Sequence, residues 1–113
     1  MKTKEELPEC PVATAVSLIG GKWKLLILRN LKARPWRFNE LRRDLDGISQ
    51  KVLTDSLRLM GDDGLVYRRD YRENPPPKVE YGLTDLGREM LPIIDALADF
   101  GSYYKTVVEE GDS

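Results

Sequence analysis

The chain has 113 residues, enough for one domain with a real core, and its 41% hydrophobic and 33% charged residues exclude both wholesale disorder and a membrane protein. It has no histidine and a single cysteine, Cys10, so an intramolecular disulfide is impossible and the commonest zinc ligands are all but missing. No metal, cofactor or enzymatic activity is predicted, because no nucleophile has a plausible base partner and Gly20-Gly21 lacks phosphate-loop spacing. A net charge of −1 argues against a nucleic-acid partner until its distribution is read. Residues 20–60 carry ten basic and four acidic side chains, and residues 84–113 carry two and seven. A basic centre joined to an acidic end presents one face to an anionic partner and turns the other away.

The longest apolar run, Leu25 to Leu28, is too short for a bilayer. Met1 to Glu9 has no apolar core, which predicts a flexible tail (residues 1–9) rather than a secretory signal, and a cytoplasmic location. Residues 10–108 form the predicted domain and 109–113 an acidic tail. Cys10-Pro11 opens a first helix that Gly20-Gly21 ends, and a second runs from Lys22 to Leu31. Arg34 to Arg37 is at most an edge strand. Asn39 is the expected N-cap of a short helix to Leu45, followed by an Asp46-Gly47 turn. Ser49 caps the best-defined helix, with Ile48 placed to staple onto Leu53 and Gly61 as the expected stop after Met60. Helix, tight turn and helix outline a helix-turn-helix.

Leu65–Tyr71 and Lys78–Leu83 read as two strands of a hairpin, joined by a loop with three consecutive prolines. Thr84 is then expected to cap a helix reaching Val108, kinked or divided by Pro92 near Leu91. Leu86, Met90, Ile93, Leu97, Phe100, Tyr104 and Val107 recur at alternating intervals of four and three, a heptad seam. Ile94 and Val108 widen that stripe beyond what one small domain covers, so Ile93, Leu97, Phe100, Tyr104 and Val107 are the expected contacts with a second subunit.

Projected at about 100° per residue, Leu53, Leu57 and Met60 share the inward face of the 49–60 helix. Lys51, Thr54, Asp55 and Arg58 form an outward polar arc, while Val52 and Leu59 extend the apolar side. A solvated face is the plain reading of any such arc. The preceding helix, the hairpin and the basic stretch instead point to a recognition helix in a winged helix-turn-helix. Ser49, Gln50, Lys51 and Thr54 lie where base edges are read, and Arg58 suits phosphate or a further base. Asp55 either accepts from a cytosine amino group or orients Arg58. Arg42 and Arg43 fall beside phosphates, and Arg72 and Lys78 near the wing tip reach the adjacent groove or backbone.

The segments Cys10-Pro11-Val12, IGGKWKLLIL (Ile19–Leu28), FNELRR (Phe38–Arg43), ISQKVLTDSLRLM (Ile48–Met60), DGLVYR (Asp63–Arg68) and NPPPKVEYGLTDLG (Asn74–Gly87) resemble the HxlR family of bacterial winged-helix transcriptional regulators. The resemblance spans roughly residues 10 to 101. It implies a mainly α fold with a small antiparallel hairpin, N- and C-terminal dimerisation helices, and a cytoplasmic homodimer binding double-stranded operator DNA beside the gene it controls. Arg34-Pro35-Trp36-Arg37 is bulkier and more aromatic than the family pattern at this point.

The resemblance also implies that Cys10, ahead of the first helix, serves in some members as an oxidant or electrophile sensor. A helix N-terminus favours the thiolate, whereas Glu9 opposes it. The alternative is a small residue packed at the dimer interface. Trp23 shares a face with Leu26 and Ile27 and reads as core; Trp36 reads equally as core or as a stacking aromatic. The expected function is that of a dimeric repressor, with a small-ligand-responsive or effector-free regulator and a protein-interaction module as the alternatives.

Overall fold

Pro11 and the Gly20-Gly21 pair bracket the first helix in the computed structural model, which describes residues 1–71 and 78–111. Helix α1 runs Pro11–Ile19 with Cys10 as its N-cap. Gly21, at φ 99°, makes the left-handed turn into α2 (Lys22–Leu31). Strand β1 (Trp36–Arg37) leads straight into α3 (Phe38–Asp44). The N-cap of α3 is therefore Arg37 and not Asn39: strand pairing delivers Arg37 in extended conformation, and Glu40 Oε1 accepts its N–H at 2.8 Å. Bonding to this backbone N–H, with Arg34 close by, holds the Glu40 carboxyl below its usual range.

Helix α4 (Gln50–Asp62) begins as expected, with Ser49 Oγ accepting from the Val52 N–H at 3.1 Å and with Ile48 and Leu53 both buried. It does not stop at Gly61. Leu65 N donates to Met60 O at 2.9 Å and Gly64 N to Gly61 O at 3.0 Å, with Gly64 at φ 80°. This reciprocal pair is the Schellman closure, so the stop is the second glycine, the one whose backbone must turn left-handed.

Strands β2 (Val66–Asp70) and β3 (Val79–Leu83) form the antiparallel hairpin, and β1 pairs with the far edge of β3, giving a three-stranded sheet in the order β1-β3-β2. Val66 pairs with Leu83, Tyr67 with Gly82 and Arg68 with Tyr81. Gly82 is buried because the Tyr67 ring occupies the space a β-carbon would need. The C-terminal helix is divided near Leu91, as Pro92 leads one to expect. Thr84 caps α5 (Asp85–Arg88), accepting from Gly87 N at 3.0 Å, and α6 (Leu91–Gly111) starts after a break at Glu89-Met90. Pro92, with no N–H to donate, stands at the second position of α6, where none is required.

Ile27, Leu28, Leu31, Leu41, Leu53 and Met60 are fully buried, joining α2, α3 and α4 into one core closed by Leu65, Val66 and Leu83 of the hairpin. A polar tie fixes α3 against α2: buried Asn30 accepts from the Arg29 guanidinium, donates to Asp44 Oδ2 at 2.7 Å, and its carbonyl accepts the Trp36 indole N–H at 2.8 Å. Trp23 and Trp36 are both half-buried against this core. Helix α6 contributes only Ile94 to the buried set, so Ile94 belongs to the domain's own core and not to an outward stripe. The radius of gyration is 16.3 Å and the extents 58 × 38 × 24 Å. A compact domain of this length has a radius near 13 Å, and the excess fits a helix that projects.

Candidate nucleic-acid interface

Two faces of α4 separate cleanly. Leu53, Ser56, Leu57 and Met60 are buried, while Gln50, Lys51, Thr54 and Arg58 are exposed and Asp55 is partly so. Val52 and Leu59, expected to extend the apolar side, are exposed. They lie about 100–120° from Leu53, just beyond buried Ser56, at an angle the core does not reach.

The polar arc is internally organised. Lys51 Nζ lies 2.9 Å from Asp55 Oδ2, and Arg58 Nη2 lies 3.6 Å from Asp55 Oδ1. The hydrogen bond from Lys51, reinforced by the charge of Arg58, holds the Asp55 carboxyl below its usual range. One carboxylate thus spaces two cations along a single helix face, leaving that face with one surplus positive charge. Of the two sequence readings of Asp55, the geometry supports the orienting one.

Behind this arc a cleft of about 330 Å³ opens between α4 and the sheet, lined by Thr54, Arg58, Tyr67, Arg68 and Tyr81 among others. Arg68 was not singled out from the sequence. It closes the DGLVYR segment and pairs across the ladder with Tyr81, but which cleft that strand position lines is a matter of tertiary packing. Arg42 and Arg43 are exposed on the last turn of α3. Arg43 and Lys78 share a polar cleft beside the loop end of the hairpin, where Lys78 is steadied by Glu80 at 3.2 Å and by the Tyr71 ring at 4.7 Å. Arg72 and the triple proline lie outside the described residues.

On the opposite side, Ile93, Leu97, Phe100, Tyr104 and Val107 lie along α6 with Tyr103 and Val108, all exposed; Phe100 is 65% and Tyr103 66% accessible. Leu86 belongs to α5 and Met90 to the break, so the seam begins at Ile93. The stripe borders an apolar cleft lined by Pro11, Val12, Ala15, Val16, Ile19 and Leu25 from α1 and α2 and by Ile93 and Leu97. Cys10, exposed and free, immediately precedes that lining; its carbonyl accepts both the N–H and the hydroxyl of Thr14, at 2.9 and 3.1 Å. No single helix among the described residues is long and apolar enough to cross a membrane.

A profile of the HxlR-like helix-turn-helix family matches residues 18–109. The chain is 40% identical over 108 residues to YdeP, an uncharacterised HTH-type transcriptional regulator of Bacillus subtilis strain 168, covering 96% of this chain and 84% of that protein. Among solved structures, the redox regulator HypR in its reduced form superposes with a TM-score of 0.82 at 40% identity, over 89% of this chain and 99% of that one. Diamide-treated YodB from B. subtilis superposes with a TM-score of 0.70 at 30% identity, over 84% and 94%.

Proposed function

The chain belongs to the HxlR-like helix-turn-helix family of DNA-binding winged-helix transcriptional regulators, and from that premise we propose that it works as a cytoplasmic homodimeric repressor, placing α4 of each copy in successive major grooves of a pseudo-palindromic operator. The observation that carries this reading is the exposed arc Lys51-Thr54-Asp55-Arg58, held in register by its own ion pairs, on a helix whose other face is locked into the core. Gln50, Lys51 and Thr54 occupy the first turns, which enter the groove, and Arg42, Arg43 and Lys78 are the cations outside α4 assigned to phosphates. The exposed stripe of α6 and the cleft beside α1 support the second copy, which sets half-site centres about one helical turn apart or a multiple of it.

The test is salt-dependent binding to the intergenic DNA upstream of its own gene. Replacing Lys51 with Ala should weaken operator binding by roughly ten-fold or more, the scale of one lost base-reading contact, and random-sequence binding far less. Absence of salt-sensitive binding to any promoter-sized fragment would refute the reading.

A second element concerns Cys10. The exposed thiol at the N-cap of α1, beside the apolar cleft, supports oxidant or electrophile sensing, and the similar proteins named above include a redox regulator and a diamide-treated structure. Diamide should release DNA from the native protein and not from Cys10→Ser. Equal release from both would remove the thiol from the mechanism.

A further inference from the structure

We infer that the cleft between the start of α3 and the loop end of β3 is a seat for one DNA backbone phosphate, and that Arg37 is its principal ligand. The inference rests on the DNA-binding reading above and adds to it a residue from neither the recognition helix nor the wing tip. The cleft, about 450 Å³, is lined by Arg37, Asn39, Glu40, Arg43 and Lys78 together with Phe38 and Val79. Three cations thus converge from three elements: Arg37 at the end of β1, Arg43 on α3 and Lys78 at the start of β3.

The negative charges nearby are already committed. Glu40 accepts the Arg37 backbone N–H at 2.8 Å and lies 3.6 Å from Arg34 Nη1, while Glu80, across the ladder from Arg37, lies 3.2 Å from Lys78 Nζ. Asp44, one residue beyond Arg43, is taken by Asn30 at 2.7 Å. Among the described residues neither the Arg37 guanidinium nor Arg43 stands in an ion pair, and both are exposed. Two forked donors outside any ion pair, lining one polar cleft whose carboxylate, Glu40, is held chiefly by the Arg37 backbone N–H and by Arg34, match the tetrahedral oxygens of a phosphodiester. Arg37 is held for that task by the ladder: it is paired with Glu80 in β1–β3, and its backbone is pinned by Glu40, so its side chain leaves a fixed base.

A phosphate ligand differs from a base reader in two measurable ways. It contributes to every sequence alike, and its loss lowers the slope of log affinity against log salt by about 0.9 per contact. The experiment is a fluorescence-anisotropy titration over a salt series, on a duplex from the upstream intergenic region and on a random duplex of equal length. The native protein, Arg37→Ala, Arg37→Lys and Lys105→Ala are compared, with thermal melts of each. Arg37→Ala should weaken both duplexes by the same factor and reduce the slope by about 1.8, because a dimer loses two such contacts. Arg37→Lys should restore the slope, and Lys105→Ala, on α6, should match the native protein. Replacing chloride by inorganic phosphate at equal ionic strength should weaken DNA binding by the native protein more than by Arg37→Ala, because the free anion competes for the same seat; equal weakening of both would place the anion elsewhere and overturn the inference. An unchanged slope in Arg37→Ala, with the native slope intact, overturns the phosphate seat and leaves the regulator reading standing. A loss confined to the intergenic duplex makes Arg37 a base reader and also overturns it. Failure of the native protein to bind either duplex removes both readings. If Arg37→Ala melts early, the slope of Arg37→Gln decides by the same criteria.

Discussion

The head of this molecule, α2 to β3, and its arm, α6, solve the burial problem in opposite ways. In the head, six large side chains are fully buried, their helices are tied by the Asn30 network, and the polar residues left outside carry a surplus of positive charge. In the arm, only Ile94 is buried, with Leu91 packed beside the core, and a row of aliphatic and aromatic side chains faces outward on an acidic helix. Exposed apolar residues are ordinary when scattered; a continuous row at heptad spacing is not. The head closes its core as a single chain, whereas the arm leaves its apolar row exposed. The charge separation follows the same division, since like-charged arms are kept from the phosphate backbone while the cationic heads approach it.

The largest expected effect tests the head. Leu53→Ala leaves a cavity where α4 meets the core and should cost about 2–5 kcal/mol of unfolding free energy. It should lower the thermal midpoint at every protein concentration, as read by circular dichroism. A loss below about 1 kcal/mol would mean that α4 is not clamped as its burial indicates.

A substitution in the arm should behave differently. Phe100 is 65% exposed, so Phe100→Asp removes little from the folding of one chain. At a dimer interface it should weaken association at least ten-fold, the scale of a buried aromatic anchor. Sedimentation velocity should show monomers at concentrations where the native protein is dimeric. The thermal midpoint, which for a dimer rises with concentration, should become independent of it. Native-like association in Phe100→Asp would assign the stripe to another partner and erase the contrast between the two regions.

Much of this architecture was legible in the chain because the relevant signals are local. The 3.6-residue period placed α2 and the inward face of α4, Ser49 behaved as a cap, and Pro92 marked the break before α6. The errors fall where tertiary contacts compete with local rules. Asn39 is the better intrinsic cap, but pairing between β1 and β3 brings Arg37 to that place with Glu40 ready to accept its N–H. Gly61 is a plausible stop, yet the closing hydrogen bonds form around Gly64. Heptad arithmetic ran through Leu86 and Met90 because period alone does not register a change of helix, and it set Ile94 on the stripe when α6 turns that residue toward the core. The arc of α4 was readable from angles, whereas Arg68 and the grouping of Arg37 with Arg43 and Lys78 required knowledge of which strand edge meets which helix.

The smallest expected effect lies within the head, at the carboxylate that organises its reading face. Asp55 in the folded chain titrates below its unfolded value, chiefly through the Lys51 hydrogen bond. A depressed carboxyl stabilises the fold above its unfolded pKa, near 3.9 for aspartate, and that contribution is lost as pH falls through the lower folded value. Because the pair is exposed, the change should be slight and should shrink further in high salt. Asp55→Asn should therefore remove a small part of the acid-side loss of stability between about pH 5 and pH 3, leaving the neutral midpoint nearly unaltered. Its effect on DNA should have the opposite sign: with Lys51 and Arg58 no longer neutralised in part, random-duplex affinity should rise a few-fold and the salt slope steepen. Discrimination between operator and random DNA should fall, since the two cations lose their common anchor. A variant that binds both duplexes as the native protein does would show that Asp55 does not set the geometry of the arc. The head would then be preorganised by its buried face alone.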